Sequence, residues 1–162
     1  MYGYYSHRYS IIWLSFVFAI IIQIIPFPEK LLLFRPSWLF LVMIYWILTF
    51  PSRINIFTGF SIGLITDMIC GSTLGIHALS FSIIAYLVAN QCYFFRNCVL
   101  WQQAILVIGL SCVMDVMVFW SEYCLMRVVF YPEHLWSSVI NGILWPWLCS
   151  FMKKICHKCS IR

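Results

Sequence analysis

The sequence predicts an all-α integral membrane protein, a bundle of about six transmembrane helices forming a single domain over residues 1–162. Of its residues, 64% are hydrophobic and only 9% are charged, whereas an ordinary soluble domain has roughly 25% charged residues. Long uncharged stretches follow one another with short charged breaks between them. Because an unpaired backbone polar group costs several kcal/mol in hydrocarbon, an open segment can cross a membrane only as a helix. The sequence therefore predicts that the helices are surrounded by membrane lipid and not by water.

Prolines, glycines and charges mark the ends of the predicted helices. A helix that spans the ~30 Å hydrocarbon core needs about 20 residues, with about 17 as the lower limit. Two prolines after Ile25 end the first helix, and Pro36 suits the first turn of the second. The second helix is short, and the break at Pro51 separates it from the third. The predicted helices cover residues 9–25, 37–50, 54–70, 76–94, 99–126 and 135–152.

Lysine and arginine in the short loops orient the predicted bundle, because these residues resist translocation. Six helices put both termini on one side of the membrane. That side has seven of the ten basic residues: Arg8, Arg53, Arg96, Lys153, Lys154, Lys158 and Arg162. The other side has three: Lys30, Arg35 and Arg127. We therefore expect a multi-pass protein with both termini in the cytoplasm.

The net charge and the cysteines indicate neither a nucleic-acid site nor a cofactor. The formal charge of +5 comes from loops and a basic tail, whereas nucleic-acid binding needs a clustered basic surface on an accessible domain. We expect the tail to meet anionic lipid headgroups. Cys156 and Cys159 have the spacing of half a zinc site, but no second ligand pair lies in a soluble segment. No metal, cofactor or enzymatic site is therefore expected.

The most regular pattern in the sequence is a four-residue step of small residues interrupted by one acid. It consists of Gly59, Gly63, Asp67, Gly71 and Gly75. On a helix, each step of four advances about 400°, so the first three positions lie nearly on one face. Small residues let helix backbones approach closely in lipid. We expect the first two glycines to pack against a neighbouring helix and the last two to belong to a turn.

The sequence offers further candidate residues for helix packing or partner binding. These are the acids Asp67, Asp115 and Glu122, together with Asn141, Pro146, Arg35 and Pro36. Asp67 is expected near the outer end of the third helix, either as an interfacial residue or as a buried functional one. Asp115 and Glu122 share one face of the fifth helix. Two carboxylates there could relay protons or bind a cation, or they could accept hydrogen bonds from Asn141 or Ser137. Pro146 is expected to kink the sixth helix.

Several motifs together resemble the rod shape-determining protein family MreD of enteric-type bacteria. The resemblance covers nearly the whole chain. It rests on Phe34-Arg35-Pro36-Ser37-Trp38, Thr58-Gly59-Phe60 leading to Asp67, Gly71-Ser72-Thr73-Leu74-Gly75, residues 82–89, Phe95-Arg96-Asn97 with Trp101-Gln102-Gln103, and residues 136–147.

The resemblance implies a non-enzymatic component of the elongation complex in the cell inner membrane. It implies binding to an MreC-type shape protein, beside an elongation glycosyltransferase, its transpeptidase and, indirectly, an actin-like filament protein. The family is also similar in fold to the substrate-binding subunits of energy-coupling-factor vitamin transporters, which gives an alternative function. Those subunits have an Ala-x3-Ala stripe on the first helix, where this chain has only Ser15 and Ala19.

Overall fold

The computed structural model describes residues 3–25, 36–51, 54, 56–126 and 135–158. Side chains are described for residues 11–25, 36–51, 54, 56–124 and 136–155. Within these ranges the chain is entirely helical apart from turns, which confirms the predicted all-α class. The helices are α1 (Gly3–Ile24), α2 (Trp38–Thr49), α3 (Ile56–Cys70), α4 (Ile76–Asn90), α5 (Cys92–Asn97), α6 (Leu100–Met126) and α7 (Leu135–Lys158).

The short helix α2 lies at the centre of the bundle. Every residue from Leu39 to Leu48 is buried, and α2 contacts α1, α3, α4, α5 and α7. A helix that is hydrophobic on all sides belongs in a protein core or in a membrane, and the neighbours of α2 enclose it. The twelve residues of α2 rise only about 18 Å. These five helices therefore surround a core helix that is shorter than the hydrocarbon core is thick.

The predicted fourth helix over residues 76–94 is wrong at its end. The structure ends α4 at Asn90 and begins the separate helix α5 at Cys92. The turn buries Cys92 and Phe95, and the Cys92 thiol donates a hydrogen bond to the Leu48 carbonyl at the end of α2. The helix is thus interrupted beside the central helix, at a point where the local sequence has neither glycine nor proline.

Two other predicted helices are too short. The first begins at Gly3 rather than residue 9, and the last ends at Lys158 rather than residue 152. Lysines favour helix and interact well with a helix C-terminus, so α7 continues where the apolar run stops. The remaining predicted helix ends differ from the observed ones by at most two residues. Pro146 lies inside α7, which continues on both sides of it.

One segment of the described chain is both long and apolar enough to cross a membrane by itself, Leu100–Cys124 within α6. The apolar helical stretches Ile11–Ile24, Trp38–Thr49, Ile56–Cys70 and Ile76–Asn90 are shorter, with 10–17 residues each. Six membrane crossings therefore remain a prediction.

The most extensive helix pair is α3 against α4, and its contact passes through Gly59 and Gly63. A Cβ atom built on Gly63 would lie 2.3 Å from Ala78 Cα and 2.6 Å from the Ala78 amide nitrogen. A Cβ on Gly59 would lie 3.0 Å from Ala85 Cβ. The space at Gly63 is therefore occupied by the α4 backbone itself, which has no side-chain freedom with which to move aside.

We predict that Gly63→Ala destabilises the folded protein by about 1–3 kcal/mol, the usual cost of overpacking. The matched control is Gly109→Ala in α6, where a Cβ meets nothing within 4 Å. Alanine is favoured over glycine in a helix by about 1 kcal/mol, so the control should keep or raise stability. The measurement is the thermal unfolding midpoint of each purified variant and of the parent protein in detergent. Equal midpoints for Gly63→Ala and the parent protein would contradict the close α3–α4 contact.

Candidate functional site

The buried polar side chains lie toward one end of the bundle, where α1, α3 and α6 finish and α2, α4 and α7 begin. We call this the polar end. Because α3 and α4 run in opposite directions, the late residues of α3 and the early residues of α4 are neighbours there. The buried polar residues in the described structure are Gln23, Thr66, Asp67, Ser80, Ser111, Ser138 and Asn141.

Asp67 caps the start of α4 from the end of α3. Its Oδ2 atom accepts hydrogen bonds from the backbone amides of Gly75 at 2.8 Å and Ala78 at 3.4 Å. Its Oδ1 atom accepts from the His77 amide at 3.0 Å and the Ser72 hydroxyl at 3.0 Å. The first amides of a helix have no partner within that helix, and negative charge is favoured there. The α4 N-cap residue, Gly75, offers no side chain of its own for this purpose.

The turn between α3 and α4 depends on the last two glycines of the four-residue step, as expected. Gly71 has φ +66° and Gly75 has φ +107°, conformations that a residue with a Cβ rarely adopts. The Ser72 amide donates to the Asp67 carbonyl at 3.2 Å, which is the long bond of a Schellman helix end with Gly71 as its left-handed residue. Asp67 thus stabilises the end of α3 through its backbone and the start of α4 through its side chain.

Ser72, His77 and Asp67 have the residue types of a hydrolytic triad but not its geometry. His77 Nδ1 lies 2.8 Å from Asp67 Oδ1 and 3.3 Å from Ser72 Oγ. In a working triad the acid and the serine bond to opposite ring nitrogens, so that one proton can move between them. Here both oxygens approach the same nitrogen, and the serine hydroxyl also donates to the carboxylate. The arrangement stabilises the turn and does not activate a nucleophile.

The start of α2 is capped by side chains from two other helices. The Ser37 amide donates to Asn141 Oδ1 of α7 at 3.0 Å, and the Trp38 amide donates to Gln23 Oε1 of α1 at 3.2 Å. Pro36, expected in the first turn, instead lies before the N-cap residue Ser37. These bonds supply amides at a helix start with acceptors that the helix itself lacks.

Asp115 joins α6 to α7 by accepting a hydrogen bond from Ser138, and not from the amide of Asn141. The Ser138 hydroxyl donates to Asp115 Oδ2 at 2.5 Å, and Ser138 is fully buried. Asn141, one of the two donors to Asp115 that the sequence predicts, instead donates from its side-chain amide to Ser111 Oγ at 3.3 Å. Glu122 is half-buried two turns further along α6. The described contacts therefore do not join the two acids into a paired site.

A further bridge lies between α5, α6 and α7. The Gln103 amide donates to the Phe95 carbonyl at 3.0 Å and the Cys98 carbonyl at 3.1 Å. Its oxygen accepts from the Trp145 indole at 3.4 Å. Trp145 is completely buried beside Pro146. Gln103 thus stabilises the end of α5 and attaches α7 to it.

Some candidate residues lie outside the described ranges. These are Arg35 and Cys159 entirely, and the side chain of Cys156, whose backbone belongs to α7. Among the described residues, no group of three or more His, Cys, Asp or Glu side chains could hold a metal ion. Two buried polar atoms, Trp38 Nε1 and Thr73 Oγ1, have no hydrogen-bond partner among the described residues.

Sequence reasoning missed four residues that connect helices: Gln23, Gln103, Ser111 and Ser138. Each is an uncharged polar residue within a long apolar run. Such residues commonly form hydrogen bonds between membrane helices, so a search for amides and hydroxyls in apolar runs would have found them. Their partners could not have been found in that way, because the partners are backbone groups or side chains on distant helices.

We predict that Asp67→Asn destabilises the protein by about 1.5–3 kcal/mol, the range for hydrogen bonds to a charged group. Both carboxylate oxygens accept backbone N–H groups, so an asparagine NH2 in either position would face another donor. Glu122→Gln is the matched control, since it makes the same chemical change on a half-buried acid that caps no described helix. Thermal unfolding in detergent measures both variants. If Asp67→Asn unfolds at the parent midpoint, the capping role is wrong.

Comparison with known proteins identifies the family. The family model described as rod shape-determining protein MreD matches residues 6–155. A rod shape-determining protein MreD from Haemophilus influenzae is 34% identical over 159 residues, which cover 96% of this chain and 98% of that protein. No solved structure matches the chain. The match includes both the α3–α4 hairpin and the helices that cap α2. The chain therefore belongs to the rod shape-determining protein MreD family.

Proposed function

We propose that the chain is a multi-pass scaffold of the cell-elongation machinery in the inner membrane. It binds an MreC-type shape protein and thereby keeps an elongation glycosyltransferase and transpeptidase beside an actin-like filament protein. Family membership supports a role in rod cell shape. The proposed role in wall synthesis is indirect, through partners and not through catalysis.

The observation that carries this proposal is that most buried polar side chains form hydrogen bonds between helices. Asp67 and Asn141 each accept hydrogen bonds from backbone amides at the start of another helix, and Ser138 and Ser111 join α6 to α7. Thr66 and Ser80 donate to carbonyls one turn earlier in their own helices. Asp67, Asn141, Ser138 and Ser111 therefore hold helices together, whereas Thr66 and Ser80 satisfy their hydroxyls within their own helices. The arrangement favours a structural protein over an enzyme.

The vitamin-transporter alternative gains no support from the first helix. Ser15 accepts the Trp46 indole N–H at 2.7 Å, and Ala19 is 3% exposed. Both small residues therefore face the neighbouring helix α2 and are not available as a stripe for an energising module.

The proposed topology has six membrane crossings and cytoplasmic termini. It is supported by the seven-to-three distribution of basic residues between the two sides. In this topology the polar end faces outward and the basic end of α7 faces the cytoplasm. The short helices α2, α3 and α4 would then cross with the help of the longer helices around them, since membranes adapt to short spans at modest cost.

We predict that depletion of the protein makes rod-shaped cells round while vitamin uptake is unchanged. A tagged copy should co-purify an MreC-type protein from detergent extracts, since a scaffold acts by binding. Microscopy, uptake of labelled vitamins and partner recovery measure the three properties in one depletion strain. Cells that stay rod-shaped but lose uptake of one vitamin would favour the transporter. Failure to recover the shape protein would remove the proposed partner.

For the topology, we predict that reporter fusions after Arg96 and after Arg162 remain cytoplasmic. A reporter placed within Phe130 to Glu133 should be exported, because six crossings put that loop outside. Alkaline phosphatase fusions report an exported position and fluorescent-protein fusions report a cytoplasmic one. The expression level of each fusion is the control. A cytoplasmic signal from the Phe130–Glu133 loop would reject the six-helix topology.

A further inference from the structure

An open apolar groove runs between α1 and α7. Helix α1 packs mainly on α2, whereas α7 packs mainly on α6, and the gap between α1 and α7 contains a cavity of about 360 Å³. The hydroxyl of Ser15 in its wall is already bonded to Trp46 and to the Ile12 carbonyl. The side chains that form most of the groove are Leu14, Val17, Phe18, Ile21, Phe151 and Ile155.

The length and lining of the groove suit one extended hydrocarbon chain. The lining residues of α1 extend from Ile11 to Ile21, a rise of about 15 Å. On the α7 side the wall is formed by Phe151, Met152 and Ile155, so the lining is apolar apart from Ser15. The carbons of an acyl chain can follow such a wall at ≈ 3.5–4.0 Å from its side chains.

The helical spacing of α7 puts a positive charge next to one of the residues that line this groove. Lys154 is exposed and follows Phe151 by three residues, which makes the two neighbours on the helix surface. Lys153 is also exposed but lies about 160° around the helix from both Phe151 and Ile155. The acids whose side chains are described, Asp67, Asp115 and Glu122, belong to the late parts of α3 and α6. In the described structure none of them pairs with Lys154.

We propose that the groove binds one acyl chain of an anionic phospholipid, and that Lys154 contacts the headgroup phosphate. The apolar wall binds the chain, because lipid tails pack well against aliphatic and aromatic side chains. The lysine gives preference for a negative headgroup, as basic residues at the membrane surface do. A zwitterionic lipid has the same tail but lacks the net charge. Lys154 therefore determines which headgroup is preferred, and the groove determines where along the bundle the lipid binds.

The test uses the purified full chain in detergent and phosphatidylglycerol with a photoreactive group on one acyl chain. Cross-linked peptides are mapped by mass spectrometry, with unlabelled phosphatidylglycerol or phosphatidylcholine as competitor. We expect labelling of α1 and α7 peptides, and competition at several-fold lower concentration by phosphatidylglycerol. Val17→Phe, which fills the groove, should reduce this labelling several-fold. Lys154→Gln should retain the labelled sites but lose the preference between competitors.

Two variants provide matched controls. Val116→Phe adds the same ring at a residue of α6 that is 49% exposed, compared with 50% for Val17, and Lys153→Gln removes a charge on the other side of α7. Both should behave like the parent protein, and thermal unfolding checks that all four variants are folded. If Val17→Phe does not fold, the comparison of Lys154→Gln with Lys153→Gln still decides the headgroup preference.

Three results would overturn the lipid site. The first is labelling spread evenly over all helices and equal in Val17→Phe and Val116→Phe, as expected for non-specific lipid. The second is equal loss of headgroup preference in Lys154→Gln and Lys153→Gln. The third is unchanged lipid labelling in Val17→Phe together with loss of a co-purified shape protein, which would make the groove a protein interface. Only the recovery of the shape protein bears on the proposed scaffold function.

Discussion

A helix that starts inside an apolar bundle leaves backbone N–H groups that water cannot reach, and this constraint governs the polar chemistry of the molecule. The structure meets it at α2 with Gln23 and Asn141, and at α4 with Asp67. Each cap comes from a different helix, so each one also fixes the position of that helix. The same few polar residues therefore satisfy the backbone and determine which helices are neighbours.

Apolar length was enough to predict the helical class and most helix ends, and the four-residue step predicted that Gly59 and Gly63 pack against a neighbouring helix without identifying that helix as α4. The break between α4 and α5 was not predictable from local sequence, because it depends on burying Cys92 and Phe95 beside α2. The caps were not predictable either. Trp38 and Gln23 are 15 residues apart, and Ser37 and Asn141 are 104 apart, so only the folded arrangement of helices brings them together.

The α3–α4 turn shows how residue types can mislead without geometry. Serine, histidine and aspartate within eleven residues have the residue types of a hydrolytic site, yet the serine and the acid approach the same ring nitrogen of His77 and not opposite ones. The same carboxylate is fully used as an acceptor for the α4 amides. The residues of this turn therefore have a structural role in joining α3 to α4.

The bond between Ser37 and Asn141 also affects how the chain must be assembled. A ribosome adds about 5–20 residues per second, so roughly 5–20 s separate the synthesis of these residues. During that interval the amide of the N-cap residue Ser37 lacks its acceptor from α7, and full burial of the helix start in hydrocarbon is unfavourable. The central helix therefore reaches its enclosed position only after the last helix is made. A chain truncated before α7 consequently lacks the Asn141 cap of its central helix and is an unfinished bundle.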